Sequence, residues 1–285
     1  MQIPRFGLII IGDEILSGKR ADKHLHRFIE ILSARGLSLA WAQYLGDDPQ
    51  SITEALRRVF ASSEVVFSCG GIGATPDDHT RLCAAQALDQ PLLPHPQAQR
   101  LIRERMADLA REQGVPYEPH RPDNVHRLNM GVFPRGADII PNPYNKIPGF
   151  ACGGAAHGVP GRIHFLPGFP VMAWPMAEWV LDTTYAACFG LQDVLELSVI
   201  LPGAMESTLT PLMQSIERDH PQIKVFSLPS VDHPEWGRHI ELGVKGAEQA
   251  ARQAYVDLHA ALVSMGASVG TELVRNPSMH QNSSK

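Results

Sequence analysis

Two short apolar runs constrain the fold of this chain more than any other feature. Phe6 to Ile11 (FGLIII) and Val65 to Ser68 (VVFS) carry no charge and no polar–apolar alternation. A strand with one face in water alternates, whereas a strand covered on both faces does not. Amphipathic stretches separate these runs. Ala21, Leu25, Phe28, Ile29 and Leu32 recur at helical spacing before Gly36, and Ile52, Leu56, Val59 and Phe60 do so after Asp47-Asp48-Pro49. Leu39 to Tyr44 reads as a further strand, and Asp78 to Leu88 as a further helix. Strands alternating with helices give a parallel sheet with right-handed crossovers and helices on both faces. Ligands of such sheets sit at the carboxyl ends of the strands.

With 285 residues the chain has room for roughly two domains of about 150. The first is expected over residues 1–175 as a three-layer α/β/α domain with a mostly parallel sheet. Gln97 to Gln113 fits one more helix. From Arg121 to Pro170 glycine and proline dominate, yet apolar residues are interspersed, so an ordered, functional stretch is expected rather than a linker. Beyond it the order changes to βαββα, with strands at Leu195–Leu201, Ile223–Ser227 and Arg238–Val244 and helices at Ser207–Asp219 and Ala247–Met265. A small α+β domain over 176–270 is expected, followed by a disordered tail over 271–285.

Thirty acidic against twenty-five basic residues give a formal charge of −5, which argues against electrostatic binding of nucleic acid. No apolar stretch approaches the roughly 18 residues that span a bilayer, and the start lacks the charged region and cleavage site of a signal peptide. Cys69, Cys83, Cys152 and Cys188 form no CxxC pair, which suits a reducing cytoplasm without a disulfide framework.

The sharpest motif is Gly70-Gly71-Ile72-Gly73-Ala74-Thr75-Pro76-Asp77-Asp78-His79-Thr80. Glycines after a buried strand let a ligand approach the backbone, and the helix behind them offers free N–H groups to phosphate. The structural alternative is a tight turn in which Asp77 or Asp78 merely caps. The motif matches neither GxGxxG nor a P-loop. Asp13 and Glu14 follow the first strand and Asp47 and Asp48 the second, so acids from three loops share one edge. Carboxylates beside a phosphate site suit Mg²⁺. Asp48, next to Pro49, reads better as a helix cap, whereas Asp47 and Asp78 read as candidate catalytic and metal-binding residues. Lys19 or Arg20 could meet a phosphate or be solvated. No HExxH or GxSxG is present, and the thirteen histidines read as structural or exposed.

Gly12-Asp13-Glu14-Ile15, the glycine segment and Leu166-Pro167-Gly168-Phe169-Pro170 together resemble the molybdopterin-binding fold of the MogA/MoeA/MoaB proteins. Pro122 and Asn124, Pro141-Asn142-Pro143 with Pro148-Gly149, and Glu206-Ser207 make the N-terminal half of the competence/damage-inducible CinA proteins the nearer likeness. The resemblance runs from about residue 5 to 268. It implies a three-layer domain followed by a KH-like one. It implies roles for Asp47 and Asp78 in molybdopterin adenylylation or binding, or in metal-dependent ADP-ribose pyrophosphate hydrolysis. It also implies a homo-oligomer, most simply a dimer. Gly12, Asp13, Glu14, Gly70, Gly71, Gly73, Thr75, Asn124, Asn142, Pro167 and Gly168 are then expected to bind substrate or its phosphates. The deamidase domain of full-length relatives is not reached by this chain, and that activity is not expected. Four positions depart from the family pattern. Asn145 and Ile147 replace a glycine and an alanine, Met172 replaces a glutamate, and Arg127 replaces a glutamine. Asn tolerates positive φ, so the turn at Asn145 is expected to survive.

Two functions follow as expectations. One is hydrolysis of a nucleotide pyrophosphate such as ADP-ribose with Mg²⁺, Mn²⁺ or Co²⁺. The other, prompted by the missing glutamate, is a non-catalytic molybdopterin or nucleotide binder linked to molybdenum cofactor biosynthesis. The partner expected in either case is a small-molecule nucleotide or pterin. RNA binding is disfavoured, since Leu201 to Glu206 is acidic and lacks the GXXG loop of a KH domain.

Overall fold

The computed structural model describes residues 3–190 and 194–275. In chain order the first part comprises β1 (Phe6–Ile11), α1 (Asp13–Leu16), α2 (His24–Ser33), β2 (Leu39–Leu45), α3 (Pro49–Ala61), β3 (Val65–Cys69) and α4 (Thr80–Leu88). Next come β4 (Leu92–Pro94), α5 (Pro96–Glu112), α6 (Pro122–Arg127), β5 (Val132–Pro134), β6 (Asp138–Ile140), β7 (Gly149–Gly153), β8 (Arg162–Leu166) and α7 (Pro170–Thr184). The second part holds β9 (Val194–Pro202), α8 (Glu206–Asp219), β10 (Lys224–His233), β11 (Gly237–Ala247), α9 (Glu248–Ser264) and β12 (Glu272–Arg275).

The six-stranded sheet runs β2-β1-β3-β8-β7-β6. β2, β1, β3 and β8 pair in parallel, while β7 and β6 pair antiparallel at one edge. Side-chain alternation sends each strand's residues to two different cores. Ile9, Val66, Ile163 and Phe165 pack with Ile52, Leu56, Val59 and Phe60 of α3 and with Cys83 and Ala84 of α4. Phe133, Phe150 and Phe165 stack in series there, with ring centroids 4.5 and 4.4 Å apart. Phe67 and His164 face the other way, where Phe67 meets Phe28 of α2 at 5.3 Å and His164 meets Tyr185 at 5.7 Å. The sheet is thus covered on both faces, as its unalternating strands require.

Local chemistry moves some predicted boundaries. α2 starts at His24 because the Asp22 carboxylate accepts from the N–H groups of His24 and Leu25 at 2.7 and 3.1 Å. Its inward face is His24, Phe28, Ile31 and Leu32, and the predicted Ile29 is exposed. α4 begins at Thr80 rather than Asp78, whose carboxylate is used inside the preceding loop.

The chain divides between Cys188 and Phe189, with Ser33–Leu37 grouped with the second unit, so the boundary lies beyond the predicted 175. α7 is the reason. It straddles 175 and buries Ala173, Met176, Ala177, Val180 and Leu181 in one continuous stripe. The second unit is an antiparallel sheet of order β10-β11-β9-β12 with α8 and α9 on its core. β12, inside the predicted tail, pairs Glu272–Arg275 with Val199–Glu196. Glu241 on β11 anchors it from within the sheet, accepting from Nη1 and Nη2 of Arg275 and from Ser198 Oγ, the last at 2.6 Å. Residues 276–285 of that expected tail lie outside the described residues. Among the described residues no helix is long and apolar enough to cross a membrane.

Candidate functional site

Four loops follow the carboxyl ends of the four parallel strands, and strand order makes them neighbours. Two backbone hydrogen bonds tie their roots together. Gly12 N–H donates to the Leu45 carbonyl and Gly70 N–H to the Leu166 carbonyl, each at 3.0 Å. Between the loops lies a cavity of about 400 Å³. Gly12, Glu14, Asp47, Gly70, Gly71, Gly73, Thr75, Asp78, Pro167 and Gly168 of the predicted set line it, joined by Arg20, Asp77 and Phe169.

The glycine loop is built for close approach. Gly70 has φ +112°, and a β-carbon there would stand 2.2 Å from the Ile11 carbonyl oxygen. Its own N–H is spent on Leu166, so Gly70 shapes the site and does not donate to a ligand. The first amide of α4 is likewise spent, Thr80 N–H donating to the Gly71 carbonyl at 3.0 Å. Arg81 donates to the carbonyls of Ile72 and Gly73 from behind the loop. These bonds occupy the carbonyls of Gly71, Ile72 and Gly73. The amides of Gly71, Ile72, Gly73 and Ala74 donate to nothing among the described residues. Four successive N–H groups without a protein acceptor are the kind of backbone array from which anion sites are built.

The acids are arranged by mutual bonds across the sheet edge. Asp13 N–H donates to Asp47 Oδ2 at 2.9 Å, and Asp47 N–H returns a bond to Asp13 Oδ1 at 3.1 Å. Burial pushes the Asp47 carboxyl up from its ordinary value, and the charges of Asp13, Glu14 and Asp77 push it further against the pull of the Asp13 amide. Asp78 Oδ2 accepts from Thr75 N–H at 2.8 Å and from Thr75 Oγ at 2.5 Å, which closes the loop over Gly73. Asp48 accepts from Ser51 N–H at 2.7 Å and caps α3, as expected. Asp13 stands behind Asp47 and does not line the cavity. The cation that reaches the cavity is Arg20, whose guanidinium lies 3.8 Å from Glu14; Lys19 is not on the lining.

Two predicted residues are elsewhere. Asn124 is buried, donates to the Glu118 carbonyl at 2.8 Å and accepts from Arg127 at 2.9 Å, beside a separate small cleft. Its helix reaches the glycine loop through His126, whose Nε2 meets the Ala74 carbonyl at 2.8 Å. Asn142 is also buried and braces a turn, bonding Asn145 Oδ1 and the Ile147 carbonyl at 2.8 and 2.9 Å. In that turn positive φ falls on Lys146 (+65°), not on Asn145. Asn145 instead donates to Met172 Sδ at 3.6 Å, so two departures from the family pattern touch each other.

Phe169, His24 and Arg81 were not legible as site residues. Phe169 looks like loop filler between Gly168 and Pro170, and His24 and Arg81 carry no motif. His24 Nε2 bonds the Gly168 carbonyl at 3.1 Å across 144 residues of sequence. No local pattern encodes such a pairing.

Comparison with known proteins agrees with this architecture. The family model for the probable molybdopterin binding domain matches residues 7–186. A protein of Pyrobaculum calidifontis is 27% identical over 267 residues, covering 90% of this chain and 96% of its own. A CinA-like protein of Anaeromyxobacter dehalogenans is 32% identical over 254 residues, 87% of this chain; the match spans only 57% of that relative's length. A crystal structure of CinA from Thermoplasma acidophilum has the same fold over 62% of this chain and 97% of that one, with a TM-score of 0.52 and 24% identity. With the family model matching well over half of its length, and with its strand-end loops forming one lined cavity, the chain belongs to the molybdopterin-binding-domain family.

Proposed function

We propose that this chain hydrolyses a nucleotide pyrophosphate, ADP-ribose being the first candidate, with the help of a divalent cation. The observation that carries the reading is the juxtaposition in one cavity of four unpaired loop amides with a set of carboxylates. The amides attract phosphate, while the carboxylates repel it unless a cation stands between.

The residues fit such a cation. Asp47 is held above its ordinary pKa by burial and by neighbouring negative charge, which a cation would relieve. Among the described residues no three His, Cys, Asp or Glu side chains form a ready cage. Mg²⁺ and its relatives bind through one or two carboxylates and complete their shell with water and substrate phosphates. Asp47 and Asp78 would hold it, with Glu14 beside them. When bound, the ion would polarise a phosphoryl group and lower the cost of ionising water.

The chain's own part is to bind and orient. Gly71, Ile72, Gly73 and Ala74 present N–H groups to the phosphate oxygens. Arg20 offsets the charge that grows on them as water attacks phosphorus. One bridging P–O bond breaks, the bridging oxygen leaves with the other phosphate, and ADP-ribose and water become AMP and ribose 5-phosphate. The test is ADP-ribose turnover with Mg²⁺, Mn²⁺ or Co²⁺. Asp78→Asn should lower it by on the order of 10²-fold. Equal rates in the variant and the parent protein would refute the assignment.

A second reading is supported by Met172, which faces Asn145 where the family pattern has a carboxylate. In that reading the same cavity holds a molybdopterin or nucleotide without cleaving it. A pterin released from the purified protein, identified by mass spectrometry, together with no ADP-ribose turnover, would establish it.

A further inference from the structure

A second cavity of about 300 Å³ opens beside the first, and Ile11, Glu14, Arg20, Gly168 and Phe169 line both. Its character is different. Where the first is walled by loop amides and acids, the second is walled by Ile10, Ile15, Ala21, Cys69 and Pro170, with His24 at the side and Lys23 at the rim. Cys69 is buried among apolar neighbours, and burial pushes its thiol well above the ordinary range, so it is wall and not nucleophile. Phe169 is 54% exposed although it stands between the cavities, and the Arg20 guanidinium lies 6.0 Å from its ring centre. An exposed aromatic face partnered by a guanidinium plane is a stacking surface.

His24 adds a polar feature. It is 4% exposed, and its Nε2 faces the Gly168 carbonyl, which makes Nε2 the protonated nitrogen. Nδ1 is then a bare acceptor, and it has no partner among the described residues. Burial also lowers the pKa of His24, which keeps the ring neutral. Nδ1 is closed off from solvent, so His24 serves as a neutral brace beneath Gly168 and not as a ligand contact.

We propose that the second cavity seats the flat heteroaromatic ring of the substrate, with Phe169 and Arg20 as the residues that set this preference. The inference rests on the reading of the first cavity as a phosphate site. The shared wall joins the two, so one molecule would place its phosphates against Gly71–Ala74 and its ring against Phe169. Mostly apolar walls with a few placed polar groups are the usual make-up of such a seat. Adenine and pterin share this chemistry, and the experiment separates them.

The test is titration calorimetry of the full chain with MgCl₂ present, using ribose 5-phosphate, AMP, a phosphorylated pterin and inorganic pyrophosphate. AMP and ribose 5-phosphate share sugar and phosphate and differ by the ring. AMP or the pterin should bind at least about tenfold more tightly than ribose 5-phosphate, and whichever gains more identifies the ring. Ala21→Trp fills the second cavity from an exposed position and leaves the core alone. It should abolish that gain while leaving pyrophosphate affinity unchanged. Phe169→Ala should reduce the gain by about 3- to 10-fold, the worth of one aromatic stack. Equal affinity for AMP, the pterin and ribose 5-phosphate, or no measurable binding of AMP or the pterin, would overturn the proposal. So would an undiminished gain in Ala21→Trp. The two readings fail separately. Ring-dependent binding without ADP-ribose turnover removes hydrolysis and keeps the ring seat. Turnover with ring-independent binding does the reverse.

Discussion

Replacing Gly70 by alanine tests whether close backbone approach holds the mouth of the site in shape. At φ +112° an L-residue is in a region that essentially only glycine occupies, at a cost of about 1–3 kcal/mol. The added β-carbon would lie 2.2 Å from the Ile11 carbonyl oxygen, where real contacts essentially never fall below 3.0 Å. The ends of β1 and β3 must therefore part by some 0.8 Å, the difference between those distances. These strands are hydrogen-bonded neighbours, and Gly70 N–H also ties β3 to the Leu166 carbonyl of β8. Weakening that bond adds about 0.5–1.5 kcal/mol. The total is about 1.5–4.5 kcal/mol, or a fall in Tm of about 3–18 °C for a unit of this size. Gly18 is the control. Its φ is +72° and nothing lies within 4 Å of where its β-carbon would be, so Gly18→Ala bears only the backbone term of about 1–2 kcal/mol. Scanning calorimetry of both variants reads the difference. If the two fall by the same amount, the close approach of Gly70 to Ile11 does not hold the site and the reasoning fails.

Three further outcomes follow from the electrostatics. The Asp47 carboxyl is raised in the folded chain, so the fold retains its proton longer than the unfolded chain does and stability falls as pH rises through that interval. Asp47→Asn should therefore raise Tm at pH 7–8, by on the order of 2 °C, while lowering cation-dependent turnover; a lower Tm at that pH would contradict the repulsion described. His164 is held down to about 3 by burial, and then by Arg162, while the unfolded side chain titrates near 6.5. Only the unfolded state takes up that proton in between, so stability should be lost progressively from pH 6.5 downward. Urea midpoints between pH 7 and 4.5 should slope less steeply in His164→Phe, and parallel slopes would rule His164 out as a cause. In the second unit, Arg275→Ala leaves the Glu241 carboxylate with Ser198 alone in a buried setting, which should cost about 1–3 kcal/mol. Denaturant unfolding followed by Trp236 fluorescence would measure it, and Glu241→Gln in the same background should restore part of the loss.

Periodicity alone determined most of the architecture. Phe6–Ile11 and Val65–Cys69 show no alternation because helices cover both faces, and that is a property each segment carries in its own residues. Parallel pairing then places the loops after β1, β2 and β3 on one edge, so the acids and glycines are legible as neighbours from the order of elements alone. The spacing of Asp48 and Pro49 likewise gave a cap that the structure contains. Tertiary structure decided what each residue does there. Whether an amide is free depends on a carbonyl that arrives from elsewhere, which is why Gly70 is spent on Leu166 while Gly71 to Ala74 are not. Asp13 and Asp47 brace each other across 34 residues, His24 reaches Gly168 across 144, and Asn124 and Asn142 turn inward to hold their own loops. Local sequence encodes the period of burial along an element. The partners of a loop residue are set by how distant elements pack, and only the folded chain brings them within the three ångströms at which hydrogen bonds form.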